Sequence, residues 1–172
     1  MSFSAFLAFP GQGSQHQSML SRGGISDLAL SSEYVHALEC CSDLISHDAF
    51  KLIEEGPEEL INRTSITQPI LILCSYLHFN KLVNTVDINP TYIAGHSLGE
   101  YSALSCAEYL DFSTTIKLLK IRGEAMQNAV PNGEGGMIAV LGTSIDILER
   151  ILRDNQKDFF VEIANDNSDG QI

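Results

Sequence analysis

One pentapeptide constrains this chain more than any other stretch: Gly95-His96-Ser97-Leu98-Gly99, which follows the short apolar run Tyr92-Ile93-Ala94 and opens a helix-patterned run over 98–108. A G-x-S-x-G set between a strand and a helix describes a sharp strand-to-helix turn. Such a turn strains the serine backbone, and small residues two positions to either side keep strand and helix from colliding. The hydroxyl then projects from the end of the sheet. The helix N-terminus beside it offers backbone N–H groups and a positive dipole end to a developing oxyanion. Ser97 is therefore the candidate nucleophile.

The rest of the chain reads as layers around this turn. Residues 4–9 (SAFLAF) form a buried-strand pattern stopped by Pro10-Gly11. Apolar residues at helical spacing run through 32–46 after a serine N-cap, and 57–62 reads as a short helix with proline and acids in its first turn. The apolar stretch 68–86 predicts a helix buried on most sides, and 113–130 predicts another with a basic middle at Lys117, Lys120 and Arg122. Strand, helices, strand, turn and helix in that order indicate a three-layer α/β domain. The turn-rich run 132–136 (NGEGG) divides the chain into 1–131 and 132–172. Beyond it the pattern predicts a strand at 137–141, a helix at 144–155, a strand at 159–164, a turn at 166–170 and the start of a further strand at 171–172. That series stops short of a complete layer, so a fragment of a longer protein is expected.

Composition narrows the function. The 172 residues are 44% hydrophobic and 19% charged, the balance of a soluble globular chain. A formal net charge of −12 argues against nucleic acid and against docking on an anionic membrane. No apolar run reaches the roughly 18 residues of a membrane span, and residues 1–10 lack the basic start and cleavage site of a signal peptide. Cys40, Cys41, Cys74 and Cys106 show no zinc spacing and read as reduced thiols, placing the protein in the cytoplasm. His16, His36, His47 and His78 likewise sit at no metal-ligand spacing, and no metal or other cofactor is expected. His96 adjoins the nucleophile, but neighbours on a strand point to opposite faces, so it is expected to pack or hydrogen-bond under the turn rather than act as the base.

Gly11-Gln12-Gly13-Ser14-Gln15 follows the first strand. If both strands lie parallel in one sheet, this loop opens beside the Ser97 turn, where Gln12 can donate to an acyl oxygen. Together FPGQGSQ (9–15), TQP (67–69), GHSLGEYSAL (95–104) and RGEAMQ (122–127), with GGMIAVLG (135–142) and NDNSDGQI (165–172), resemble the malonyl-CoA:acyl carrier protein transacylases in order and spacing over essentially the whole chain. The resemblance implies a hydrolase-like three-layer α/β subdomain, with a smaller ferredoxin-like α+β subdomain beginning near 132. It also implies Ser97 as nucleophile, with Gln12 and the Leu98 N–H as the oxyanion hole. Arg122 would pair with the free carboxylate of the malonyl group, Gln68 would line the acyl pocket, and His96 would stand among the substrate-binding residues. Malonyl-CoA and an acyl carrier protein are the partners it implies. Because the chain and such carriers are both acidic, docking would need a local basic patch, for which Lys117, Lys120 and Arg150 are candidates, with a solvated helix face as the alternative for each.

Arg122 has its own argument, because a lone guanidinium in a mostly apolar helix can pair a carboxylate bidentately; a solvated helix face is the alternative. The resembled family takes its catalytic base from a histidine in its second half, which is absent from 1–172. This segment alone is therefore expected to be inactive, and the missing half of the same protein is an expected partner. Two other readings stay open: a serine esterase or thioesterase on the same turn, and a truncated interaction module. A fixed cation in the acyl pocket separates the first from malonyl transfer, because ordinary fatty esters gain nothing from it.

Overall fold

The computed structural model describes residues 3–25, 31–130, 134–155 and 160–172. It resolves into two compact units, 1–130 and 131–172. The first contains strand β1 (Phe3–Phe9) and four helices: α1 (Met19–Arg22), α2 (Ser32–Ile45), α3 (Ala49–Glu55) and α4 (Glu58–Ile61). Next come α5 (Thr64–Thr85), strand β2 (Ile88–Gly95), α6 (Leu98–Cys106) and α7 (Phe112–Gln127). The second unit holds α8 (Ile145–Asp154). The chain is α/β, with helices around a small parallel sheet.

Helix α5 is the centre of the first unit. Ile66 to Cys74 and Leu77 are buried, and the helix packs against α2, α6 and α7. A helix apolar on all sides is stable only when surrounded, which is why this segment shows little amphipathic pattern. It begins at Thr64, four residues before the expected start, because its polar first turn gives no hydrophobic signal. Thr67 Oγ1 donates there to the Ile61 and Arg63 carbonyls, at 2.6 and 3.0 Å. Helix α7 starts at Phe112 behind an Asp111 cap, whose carboxylate accepts from the Thr114 N–H at 2.8 Å.

Strands β1 and β2 pair in parallel from Phe3↔Ile88 to Phe9↔Gly95. The register slips between Ala5 and Phe6, where Ala5 faces Pro90 and Phe6 faces Tyr92. Pro90 has no N–H for the ladder, and its presence made only the last part of β2 legible as a strand. Along β1, Ala5, Leu7 and Phe9 are half-buried while Ser4, Phe6 and Ala8 are exposed, the two-residue alternation of a sheet covered on one face. Helix α6 packs on both strands, and Phe79 of α5 lies with its ring 6.3 Å from that of Phe9. On the open face Phe6 and Tyr92 are 65% and 69% exposed.

Several expectations need correction. Helices α1 and α3 went unread, although α3 has an Asp48 cap accepting from Lys51 N–H and buries Ala49, Leu52 and Ile53. Pro57 is the N-cap of α4, not a residue of its first turn. Residues 137–141 do not form a strand: Leu141 makes one isolated bridge to Gln171, and Val140 and Ile172 exchange two backbone bonds of 2.8 and 3.0 Å. Residues 160–164 are also irregular, and Phe159 lies outside the described residues. A single narrow antiparallel contact without a third strand does not sustain a ladder, however β-prone its residues. Among the described residues no helix is long and apolar enough to cross a membrane.

Because α5 carries the core, Leu73→Ala is expected to destabilise the fold by about 2–5 kcal/mol. Leu118→Ala, at a position 41% exposed, is expected to change it by less than about 1 kcal/mol. Urea unfolding of the two variants checks the contrast.

Candidate active site

Ser97 sits between the last residue of β2 and the first turn of α6 with φ 54° and ψ −115°. That positive φ in a residue with a side chain is the strain expected of the turn, on the order of 1–3 kcal/mol, and the surrounding contacts must hold it. They do so through the two flanking glycines. A Cβ on Gly95 would lie 2.0 Å from the carbonyl of Gly99, and one on Gly99 would lie 2.3 Å from the Phe9 carbonyl oxygen and 2.7 Å from that of Pro10. The start of α6 thus rests directly on the end of β1. The His96 N–H donates to the Phe9 carbonyl at 3.0 Å and completes the junction.

This junction brings the first loop to Ser97, as parallel pairing of the strands requires. A Cβ on Gly11 would meet His96 Nδ1 at 2.8 Å, the His96 carbonyl at 2.9 Å and Ser97 Cβ at 3.5 Å. The His96 ring therefore lies over Gly11. Gln12 follows at once, its side-chain amide donating to Thr64 Oγ1 at 3.2 Å. Leu98 is fully buried, and its N–H, at the first position of α6, finds no acceptor among the described residues.

Arg122 comes from α7. Its Nη2 donates to Ser97 Oγ at 3.0 Å and its Nη1 to Gln68 Oε1 at 2.8 Å. Gln68 is fully buried on α5, and its Nε2 reaches Met126 Sδ at 3.2 Å, so both ends of the buried amide are occupied. The guanidinium also lies 6.0 Å from the centroid of the Tyr101 ring. Gly123 makes this crossing possible: a Cβ there would lie 2.8 Å from the Thr64 carbonyl.

The structure therefore joins Ser97, Arg122 and Gln68 by direct contacts and brings Gln12, Leu98 and His96 to the same turn. Tyr101, Thr64 and Met126 were missed. Tyr101 follows Ser97 by four and Met126 follows Arg122 by four, so helical spacing was an available signal for both. Of the basic residues expected to dock a carrier protein, Lys120 pairs with Glu124 at 3.3 Å, while Lys117 and, in the second unit, Arg150 are exposed.

The three buried cysteines do not compete with Ser97. Burial raises the thiols of Cys41 and Cys74 well above their ordinary range and that of Cys106 to about 12. Such thiols stay protonated at neutral pH. Among the described residues no cluster of three His, Cys, Asp or Glu side chains could hold a metal ion. A cavity of about 350 Å³ lined by Glu33, Tyr76, Asn80 and Asp111 does not include Ser97, which stands exposed at the end of the sheet.

The family model described as an acyl transferase domain matches residues 6–171. The chain belongs to the acyl transferase domain family. Within that family it is similar to the malonyl CoA-acyl carrier protein transacylase of Haemophilus influenzae, 39% identical over 170 residues that cover 96% of this chain and 52% of the relative. The solved structure of the transacylase from Coxiella burnetii matches with a TM-score of 0.84 at 37% identity, over 99% of this chain and 52% of that one. A malonyl-transacylase solved in complex with its type II PKS acyl-carrier protein matches with a TM-score of 0.82 at 38% identity, over 99% and 53% of the two chains. The chain spans about half the length of the relatives it matches.

Gly99→Ala places a Cβ against main-chain atoms that cannot rotate away. It is expected to lower stability by about 1–3 kcal/mol, the usual scale of overpacking. Gly136→Ala, with nothing within 4 Å of the added atom, is expected to leave the thermal midpoint unchanged. Thermal unfolding of both variants checks the account of the junction.

Proposed function

We propose that this chain carries the nucleophile, oxyanion donors and carboxylate clamp of a malonyl-CoA:acyl carrier protein transacylase. One observation carries the reading: a single guanidinium reaches both the Ser97 hydroxyl and the buried Gln68 amide. The free carboxylate of a malonyl group lies one methylene from the reacting carbonyl. An arginine within hydrogen-bond reach of Ser97 Oγ is therefore at the right range to hold that carboxylate while Ser97 attacks. A fatty acyl group has no charge at that position, which favours the transacylase over an esterase on the same turn.

In the proposed reaction Ser97 Oγ bonds to the thioester carbonyl carbon and its proton passes to a base. The charge on the carbonyl oxygen falls to the N–H groups of Leu98 and Gln12. The carbon–sulfur bond then breaks, and CoA leaves as its thiol after taking up a proton. In the second half the pantetheine thiol of an acyl carrier protein loses its proton to the base, its sulfur attacks the Ser97 ester, and Ser97 recovers its proton. The base is assigned outside 1–172 on the resemblance. That assignment makes the second half of the protein a partner of this segment. Carrier-protein binding would use local positive charge, for which the exposed Lys117 is a better candidate than Lys120, already paired with Glu124. No cofactor is required, because every group named is a side chain or a backbone N–H.

The exposed apolar face at Phe6 and Tyr92 supports a three-layer subdomain, since such a face needs a further layer to cover it. The separate compact unit from 131, with its amphipathic helix α8, supports the ferredoxin-like reading of the second part. Reduced thiols at Cys41, Cys74 and Cys106 support a cytoplasmic location.

Arg122→Ala is expected to slow malonyl transfer by about 2 kcal/mol or more, roughly 30-fold, the scale of a lost charge-assisted hydrogen bond. Acetyl transfer, with no distal carboxylate, is expected to fall much less or to rise. Steady-state transfer with both CoA thioesters checks this, and equal losses would assign Arg122 a structural role.

A further inference from the structure

The loop from β1 to α1 carries three glutamines, and each side-chain amide donates to the segment 55–64. Gln12 reaches Thr64 Oγ1 at 3.2 Å, Gln15 reaches Asn62 Oδ1 at 2.8 Å, and Gln17 reaches the Glu55 carbonyl at 3.0 Å. Residues 12–13 form a turn, and among the described residues 11–17 pair with no strand. The conformation of this loop is therefore set by side chains rather than by a ladder.

Gln15 differs from the other two. Its Oε1 accepts from the Gly13 N–H at 2.8 Å while its Nε2 holds Asn62, so one amide closes the turn from inside and ties it to the end of α4. Ser14 Oγ donates to the Gly11 carbonyl at 2.8 Å and closes the other side. Gln12 lies between these two clamps. Gln15 is half-buried, whereas Gln12, Gly13 and Ser14 are exposed. The turn it holds abuts the nucleophile through Gly11, so a movement of the turn moves the Gln12 N–H relative to Ser97 Oγ.

We infer that Gln15 is a positioning residue, which fixes the turn at Gln12-Gly13 and thereby aims the Gln12 N–H at the acyl oxygen on Ser97. The inference rests on the transacylase reading of Ser97 and its oxyanion donors. Gln15 touches neither substrate nor the reacting atoms; it acts through Gln12. Its effect follows from the steep dependence of oxyanion stabilisation on donor placement, where a shift of about 1 Å can cost on the order of 100-fold in rate.

The test measures acylation of Ser97 in the complete protein by rapid-quench mass spectrometry, with malonyl-CoA and with acetyl-CoA. Gln15→Ala is expected to slow acylation roughly 10- to 100-fold, between a partly and a wholly misplaced donor. The factor is expected to be the same for both acyl groups, because both develop the same oxyanion, and the KM for malonyl-CoA is expected to stay unchanged. Gln15→Glu is expected to restore the rate, since its carboxylate still accepts from the Gly13 N–H and a rotated Asn62 amide can donate to it. Unslowed acylation in Gln15→Ala overturns the inference, as does a loss confined to malonyl or a loss that Gln15→Glu fails to restore. If Gln15→Ala unfolds, Asn62→Ala cuts only the outer anchor and is expected to give a smaller, equally shared slowing; its absence overturns the inference too. A wild-type protein that never acylates Ser97 overturns the functional reading itself, and an acylated wild type keeps the two outcomes apart.

Discussion

The site depends on how closely α6 can approach the end of β1. With hydrogen atoms as their side chains, Gly95 and Gly99 let strand β2, the Ser97 turn and the first turn of α6 stack against the Phe9 and Pro10 carbonyls. The geometry of the Ser97 turn follows from that contact. It forces Ser97 to a positive φ, directs its hydroxyl outward, and sets the loop after β1 beside it. The strain at one residue is offset by packing spread over the junction, which is how folded proteins sustain such conformations at working sites.

A second close approach places the charge. Gly123 lets α7 cross the start of α5 at main-chain distance, and the adjacent Arg122 is thereby carried to Gln68 and Ser97. Burial makes Gln68 a reliable anchor, because an amide fully removed from water is costly unless both its ends find partners. Arg122 and Met126 occupy them. The guanidinium is thus held by two partners, which restricts its side-chain freedom.

The Ser97 turn and the two strands could be read from the sequence because short-range rules govern them: glycine spacing, a strand pattern on one side and a helix pattern on the other. Arg122 was legible as the lone arginine of a mostly apolar helix. Less legible were features decided by tertiary contact. The polar first turn of α5 carries no periodic signal, and Pro90 hid the start of β2. Residues 137–141 look like a strand but have a single narrow pairing with Gln171 and Ile172. Tyr101 and Met126 could have been found from their four-residue spacing to Ser97 and Arg122. Gln15 could not, since its role comes from Asn62, 47 residues away in the chain.

We propose that this turn makes Ser97 the acceptor of an acyl group. Its most direct test is the intact mass of the complete protein after incubation with malonyl-CoA, for the native sequence and for Ser97→Ala. One malonyl adduct is expected on the native protein, mapped by peptide fragmentation to Ser97, and none on the variant. An adduct of equal yield on Ser97→Ala would contradict it.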